Sequence, residues 1–279
     1  MVTIADLNPA SGDNAAIVLV RLLPGAPWPG QTGHNRQMPA SQPTIIATSI
    51  GFNSEGSNDW NLRPGPAYEL AAKLAKAGKH PRVCIIGTAV GDSAHWTAAI
   101  HNAFAKLGMI SSHLDLFPQP NVIDVREHLA SQDIIWVSGG STANLLAIWR
   151  LHGLDEILRD AWQAGVVLMG VSAGSLCWHI GGTTDSFGLP LQPVTNGLAF
   201  LPYSNSPHHD AEAERRPLIH QLIADGTLPD GYASDNGAGL VYYGTDLHES
   251  ITEQPGKFCY EITRHGDSAR ETPLPTRSL

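Results

Sequence analysis

Gly170-Val171-Ser172-Ala173-Gly174 has the pattern of a serine nucleophile. G-x-S-x-G, set in a tight strand-to-helix turn, lifts one hydroxyl above the edge of a sheet. The small residues at both ends matter because the turn brings backbone against backbone, and a Cβ at Gly170 or Gly174 would collide there. Directly before it runs Val166-Val167-Leu168-Met169, a continuous apolar stretch suited to a strand buried on both faces. Leu176-Cys177-Trp178-His179 follow with helical character, so the context is strand, turn, helix. A glycine-rich turn with an incidental serine would satisfy the pentapeptide alone; the flanking strand and helix favour the nucleophile.

A serine nucleophile needs a base for its proton, and the base needs an acceptor that orients it. Thirteen histidines offer candidates. His208 stands out because it follows Pro207 at the end of a strand-like segment, Phe200 to Pro207, where a stiffened loop can hold a ring at the sheet edge. Asp185 is the nearest loop carboxylate after the elbow, with Asp210 and Asp235 as competitors. Any of the three also suits a turn residue that bonds its own backbone. An oxyanion hole needs two N–H donors aimed at one point. Ala173, next after the serine, offers one, and the Gly139-Gly140 turn offers the other, with Gly140 preferred. His209 and Asp210 are both metal-ligand types, but no partner set with zinc-site spacing accompanies them, so no metal or other cofactor is expected.

These residues need a scaffold. Thr44 to Phe52, Arg82 to Gly87, Ser111 to Phe117 and Asp133 to Val137 read as strands. Between them, Pro66 to Ala77, His95 to Leu107 and Val122 to Ala130 read as helices, and Thr142 to Leu158 as one or two helices broken near Gly153. That alternation predicts an α/β fold with a doubly wound, mostly parallel sheet flanked by helices. Ligands gather at the carboxyl ends of such strands, where both glycine-rich turns fall. After residue 183 the chain reads as loop-rich, with a helix at 217–225 and strands at 238–244 and 257–263. Residues 43–265 are expected to form the single domain and 266–279 a frayed tail. Residues 1–42, rich in Pro, Gly, Gln and Asn over 24–42, read as an extension outside the fold, with Met38 suggesting an upstream start. A strand or helix at 15–23 is the alternative.

At 279 residues the chain can bury a sizeable core. A net charge of −9 argues against nucleic acid or an anionic membrane surface as partner. Cys84, Cys177 and Cys259 are widely spaced, which reads as reduced and cytoplasmic. No apolar run reaches the ~18 residues of a membrane span.

Taken together, Ser138-Gly139-Gly140-Ser141-Thr142, Gly170 to Gly174, Thr183-Thr184-Asp185 and Leu201-Pro202 through Pro207-His208 resemble peptidase E in order and rough spacing. That is a family of cytosolic serine dipeptidases that cleave after an amino-terminal aspartate, related to cyanophycinase. The resemblance spans roughly residues 43–245 and implies a class I glutamine amidotransferase-like fold with serine in place of the amidotransferase cysteine. It further implies Ser172 as nucleophile, His208 as base, Asp185 as acid, and Gly140 in the oxyanion hole. Arg215-Arg216 resembles the family's basic region facing acidic substrate groups; a solvated helix face paired with Glu212 or Glu214 is the alternative. Ser138 and Ser141 replace a glycine and an asparagine of the family pattern. The acid loop is two residues shorter, and His209 stands where an aromatic residue is common. The implied partner is a small peptide with an acidic N-terminus, and a homodimer is compatible with the family. Rival readings are a cyanophycinase-like or other small-amide or ester hydrolase, an α/β-hydrolase esterase, and a non-catalytic binding protein on the same scaffold. The short span from Ser172 to His208 counts against the esterase, which usually places several strand-helix units there.

Overall fold

The structure, a computed structural model, describes residues 40–55 and 58–279. The expected extension and the alternative element at 15–23 thus lie outside the described residues, save for 40–42. In order the chain forms β1 (Thr44–Thr48), the antiparallel pair β2 (Asn53–Glu55) and β3 (Asn58–Arg63), α1 (Pro66–Leu74), β4 (Arg82–Ile86), α2 (Ala94–Lys106), β5 (Ile110–Leu114), α3 (Val125–Ala130) and β6 (Ile134–Val137). Then come α4 (Thr142–Leu151), α5 (Leu154–Gln163), β7 (Val167–Val171) and α6 (Ala173–Leu176). The remainder holds β8 (Gly181–Thr184), β9 (Gln192–Val194), β10 (Ser204–Pro207), α7 (Arg215–Ala224), β11 (Gly231–Ser234), β12 (Ala238–Tyr243), β13 (Asp246–Thr252), β14 (Cys259–His265), β15 (Ser268–Pro273) and β16 (Thr276–Ser278).

The larger sheet has eight strands in the order β16-β13-β12-β1-β7-β6-β4-β5. Strands β1, β7, β6, β4 and β5 run parallel, while β12 joins β1 antiparallel. Alternation along these strands feeds two cores. Cys84, Ile86, Ile135, Val137 and Leu168 face Leu145, Trp149, Leu158 and Trp162 of α4 and α5. Val83, Ile85, Ile134, Trp136, Val167 and Met169 face Tyr68, Ala71, Ile100 and Phe104 of α1 and α2. Successive side chains of a strand point to opposite faces, so a strand apolar at every position must be covered on both. The layers follow from that requirement. Each fully buried large apolar side chain contributes about 1.5–3 kcal/mol relative to exposure.

A second sheet of six strands has the order β15-β14-β11-β10-β8-β9. β8, β10 and β11 are parallel, and β14 and β15 add antiparallel beyond them. Its parallel strands β8, β10 and β11 are short and rich in glycine and polar residues, such as Ser204-Asn205-Ser206-Pro207, which is why the sequence reads as loop-rich after residue 183. Gly181, Gly182 and Gly231 allow the close approach: a Cβ on any of them would stand 2.2 Å or less from a backbone oxygen of a neighbouring strand.

The frayed tail is corrected. Ser268–Pro273 pairs antiparallel with β14, and Thr276–Ser278 pairs parallel with β13. Residues 266–279 carry few buried apolar side chains, so hydrophobic patterning misses strands held by ladder bonds and by ion pairs such as Arg277–Glu249, at 2.8 Å. Among the described residues, no helix is long and apolar enough to cross a membrane.

Candidate active site

Five strand ends meet at the site. The candidate residues follow the carboxyl ends of β1, β6 and β7, which are parallel neighbours, and of β10 and β11 in the second sheet. At the end of β7, Ser172 has φ 57° and ψ −113°, and Ala173 opens α6. This is left-handed backbone that a non-glycine residue adopts only when its surroundings dictate it. They do so here. A Cβ on Gly170 would lie 2.1 Å from Gly174 O, and one on Gly174 would lie 2.3 Å from Val137 O. Ser172 N donates to Thr48 O at 3.1 Å, and Thr48 Oγ1 donates to Gly170 O at 3.0 Å, so β1 clamps both sides of the turn. Cys177 and Trp178, fully buried, anchor the segment that follows.

His208 also has positive φ, 54°, and lies directly after β10. Its N–H donates to Ser49 Oγ at 2.8 Å; that hydroxyl lies 2.8 Å from Ser234 Oγ and 3.1 Å from Ser234 O. His209 N donates to Ser234 O at 3.0 Å. Thr48 and Ser49 thus hold the serine and the histidine from consecutive positions. Ser172 Oγ and His208 make no direct hydrogen bond among the described residues. Catalytic hydrogen bonds are often long in ligand-free sites and tighten once substrate binds.

The ring of His208 has a partner that sequence reasoning missed. Its Nδ1–H donates to Asn236 Oδ1. That leaves Nε2 as the acceptor nitrogen of the neutral ring, the form a general base requires. The expectation for Asp185 is corrected accordingly. Asp185 lies just after β8 and lines a separate cavity of about 540 Å³ with Leu189, Leu191, Glu212 and Glu214. The competing acids bond elsewhere but hold the segment that carries Asn236. Asp210 accepts from Asn236 N at 2.8 Å and from Lys257 Nζ, and Asp235 accepts from Phe258 N at 3.1 Å and Tyr260 OH at 3.2 Å. Gly231-Tyr232-Ala233-Ser234-Asp235-Asn236-Gly237 contains the missing signal, a short strand feeding an Asp-Asn-Gly turn.

The turn after β6 approaches the serine from the other side. A Cβ on Gly139 would lie 3.1 Å from Ser172 Cβ and 3.7 Å from its Oγ. Gly140, at φ 129°, packs against Ala89, whose oxygen would be 2.4 Å from an added Cβ. Ser141 caps α4 by accepting from Asn144 N at 3.2 Å. Neither Gly140 N nor Ala173 N has a backbone acceptor among the described residues.

A cavity of about 270 Å³ opens beside the histidine, lined by Ser49, Phe52, Asn53, His208, Asn236 and Glu253 among others. Glu253 Oε1 accepts from Ala67 N at 2.6 Å, and burial raises its pKa. Neither Arg215 nor Arg216 lines this cavity. Arg215 is buried and donates to Thr183 O at 2.9 Å and to both Glu212 oxygens at 2.9 Å. Arg216 forks Glu271, with Nη2 2.6 Å from Oε1. Both guanidiniums already hold carboxylates of the chain: Arg215 makes the Glu212 pairing that is the alternative to a substrate role, and Arg216 keeps a side chain 47% exposed. The cysteines offer no rival nucleophile: all three are free and buried, and burial pushes the Cys84 thiol up to about 12 and raises the thiols of Cys177 and Cys259 as well.

Known proteins share this architecture. A peptidase from an acI-B1 Actinobacterium superposes with a TM-score of 0.60 at 18% identity, over 84% of this chain and 95% of that one. The central sheet and its helices are those of the class I glutamine amidotransferase-like α/β fold. The uncharacterized peptidase YgaJ of Bacillus subtilis is 41% identical over 201 residues, 72% of this chain and 86% of its own length. Peptidase E of Shewanella denitrificans is 27% identical over 162 residues, covering 53% of this chain and 67% of the relative. The model of peptidase family S51 matches residues 65–250, which include the elbow serine, His208 and Asn236. The chain belongs to peptidase family S51, the family of peptidase E.

Proposed function

We propose that this peptidase is a serine dipeptidase that cleaves after an amino-terminal acidic residue through an acyl-enzyme. The observation that carries the serine mechanism is the pair of constrained residues, Ser172 and His208, held by Thr48 and Ser49 at adjoining strand ends. In this reading Ser172 Oγ attacks the peptide carbonyl while His208 Nε2 takes its proton. Asn236 holds the ring, and the N–H groups of Ala173 and the Gly139-Gly140 turn receive the developing oxyanion. The tetrahedral intermediate collapses, the proton passes from His208 to the leaving amine, and water then cleaves the acyl-serine by the same route in reverse.

The small cavity supports short substrates, since it lies below the ~300–1,000 Å³ common for drug-sized ligands. The preference for aspartate rests on the motif order and on the peptidase E relatives, and draws no support from Arg215 or Arg216. A panel of X-p-nitroanilides and X-Leu dipeptides tests it. Asp-p-nitroanilide should be cleaved with the highest kcat/KM. Faster cleavage of neutral or basic X would retain the serine peptidase and overturn its acidic preference. Turnover of p-nitrophenyl acetate alone would favour a small-ester hydrolase.

A further inference from the structure

Behind the loop that carries His208, three side chains from separate elements converge. His209 follows β10, His220 sits on α7 and Glu271 on β15. The Nε2 atoms of His209 and His220 lie 3.0 and 2.7 Å from one and the same oxygen, Glu271 Oε2. The three donor atoms all fall within 4.8 Å of one another. Donors at about 2.0–2.2 Å from a tetrahedral centre stand about 3.3–3.6 Å apart, so small side-chain movements bring these three onto one ion.

Two imidazole nitrogens and a carboxylate oxygen are a ligand set that suits zinc. The His209 ring is fully buried, and its second nitrogen, Nδ1, lies 3.2 Å from Ser206 Oγ. When Nδ1–H donates to that hydroxyl, the Nε2 lone pair points into the cluster; metal-bound histidines are oriented in the same way. Arg216 holds Glu271 with Nη2 at 2.6 Å from Oε1 and Nε at 3.2 Å from Oε2, and its guanidinium lies over the Tyr260 ring. Arg216 can keep Oε1 while Oε2 turns to the ion, which leaves the carboxylate monodentate. The side chains of His220 and Glu271 are 31% and 14% exposed, which gives the ion a way in and leaves room for a water as fourth ligand. The other reading of these contacts is a plain ion-pair network with protonated histidines.

We propose that His209, His220 and Glu271 bind one Zn²⁺ ion, independently of the serine chemistry. The absence of zinc-site spacing around His209 and Asp210 speaks against a metal only among neighbours in the chain, whereas Glu271 comes from the part read as a frayed tail. The ion would tie the loop behind His208 to α7 and β15.

The test titrates ZnCl₂ into the chelator-treated full chain by isothermal calorimetry, alongside His220→Ala and Glu271→Gln. Wild type should bind one Zn²⁺ per chain. His220→Ala, on a partly exposed helix face and checked for folding by circular dichroism, should lose at least tenfold in affinity. Zn²⁺ should also raise the melting temperature of wild type and not that of His220→Ala, because a ligand that binds only the folded state stabilises it. Absence of Zn²⁺ binding in wild type, or a loss under tenfold in His220→Ala, overturns the proposal. If Glu271→Gln does not fold, His220→Ala and His220→Gln decide the matter.

Discussion

His208 and Asn236 form the pair on which the site turns: the imidazole Nδ1–H donates to the amide oxygen of Asn236, a neutral group. A carboxylate there would fix the ring tautomer and also stabilise the imidazolium. An amide fixes the tautomer and adds little to the charge.

Asn236→Ala should therefore lower kcat/KM by about 100-fold, within the ~10²–10⁴ that a positioned general base supplies, with KM little changed. Asn236→Asp should retain activity and move the acidic limb of the kcat/KM profile to higher pH by about one unit or more, because a nearby negative charge favours the protonated ring. pH-rate profiles of the two variants check both statements. An Asn236→Ala enzyme as active as wild type would remove the residue from the site.

Legibility in the sequence divides along one physical line. The parallel strands β4, β6 and β7 are apolar on both faces, and they and their helices are readable from hydrophobic pattern alone, as is Ser172 from its glycines. The polar strands of the second sheet are held by ladder bonds and glycine close approach, which leave no periodic signal. His208, stiffened by Pro207, is still readable at the end of β10, but its partner and the roles of other residues on that sheet are not. Asn236 gives no signal because β11 carries no apolar pattern, and Asp185 is favoured in the sequence both by its nearness to the elbow and by the Thr183-Thr184-Asp185 resemblance. The Glu212 pairing of Arg215 is legible as an alternative in the sequence, whereas its bond to Thr183 O on β8 is not.

Gly170 of the elbow and Gly139 of the turn after β6 separate fold from catalysis. An added Cβ at Gly170 meets the fixed backbone of Gly174 at 2.1 Å, so Gly170→Ala should destabilise the protein by about 3 kcal/mol or more. Gly139→Ala meets Ser172 Cβ at 3.1 Å, a contact that small shifts relieve, and should leave the urea midpoint nearly unchanged while lowering kcat. Denaturation curves and steady-state kinetics on the two variants distinguish these outcomes.

His179 predicts the pH dependence of stability. It is fully buried behind the elbow, donates from Nδ1 to Ser175 O at 3.0 Å, and has Nε2 3.4 Å from Tyr242 OH. Burial holds its pKa down to about 3, against 6.5 for the free side chain. Between these values the unfolded chain binds a proton that the native state does not, so stability is complete above pH 6.5 and falls as pH drops towards 3. The slope from this residue is at most about 1.4 kcal/mol per pH unit. Urea titrations at pH 7.5 and 5.0 should show that loss in wild type and a smaller one in His179→Gln.

Covalent labelling identifies the nucleophile, which is expected to be Ser172. A peptidyl phosphonate incubated with the full chain and mapped by mass spectrometry should modify Ser172 alone, more slowly in His208→Ala. Ser172→Ala should take no label and lose about 10³–10⁶-fold in kcat. Label on another residue, or peptide cleavage by Ser172→Ala at the wild-type rate, would exclude Ser172 as the nucleophile.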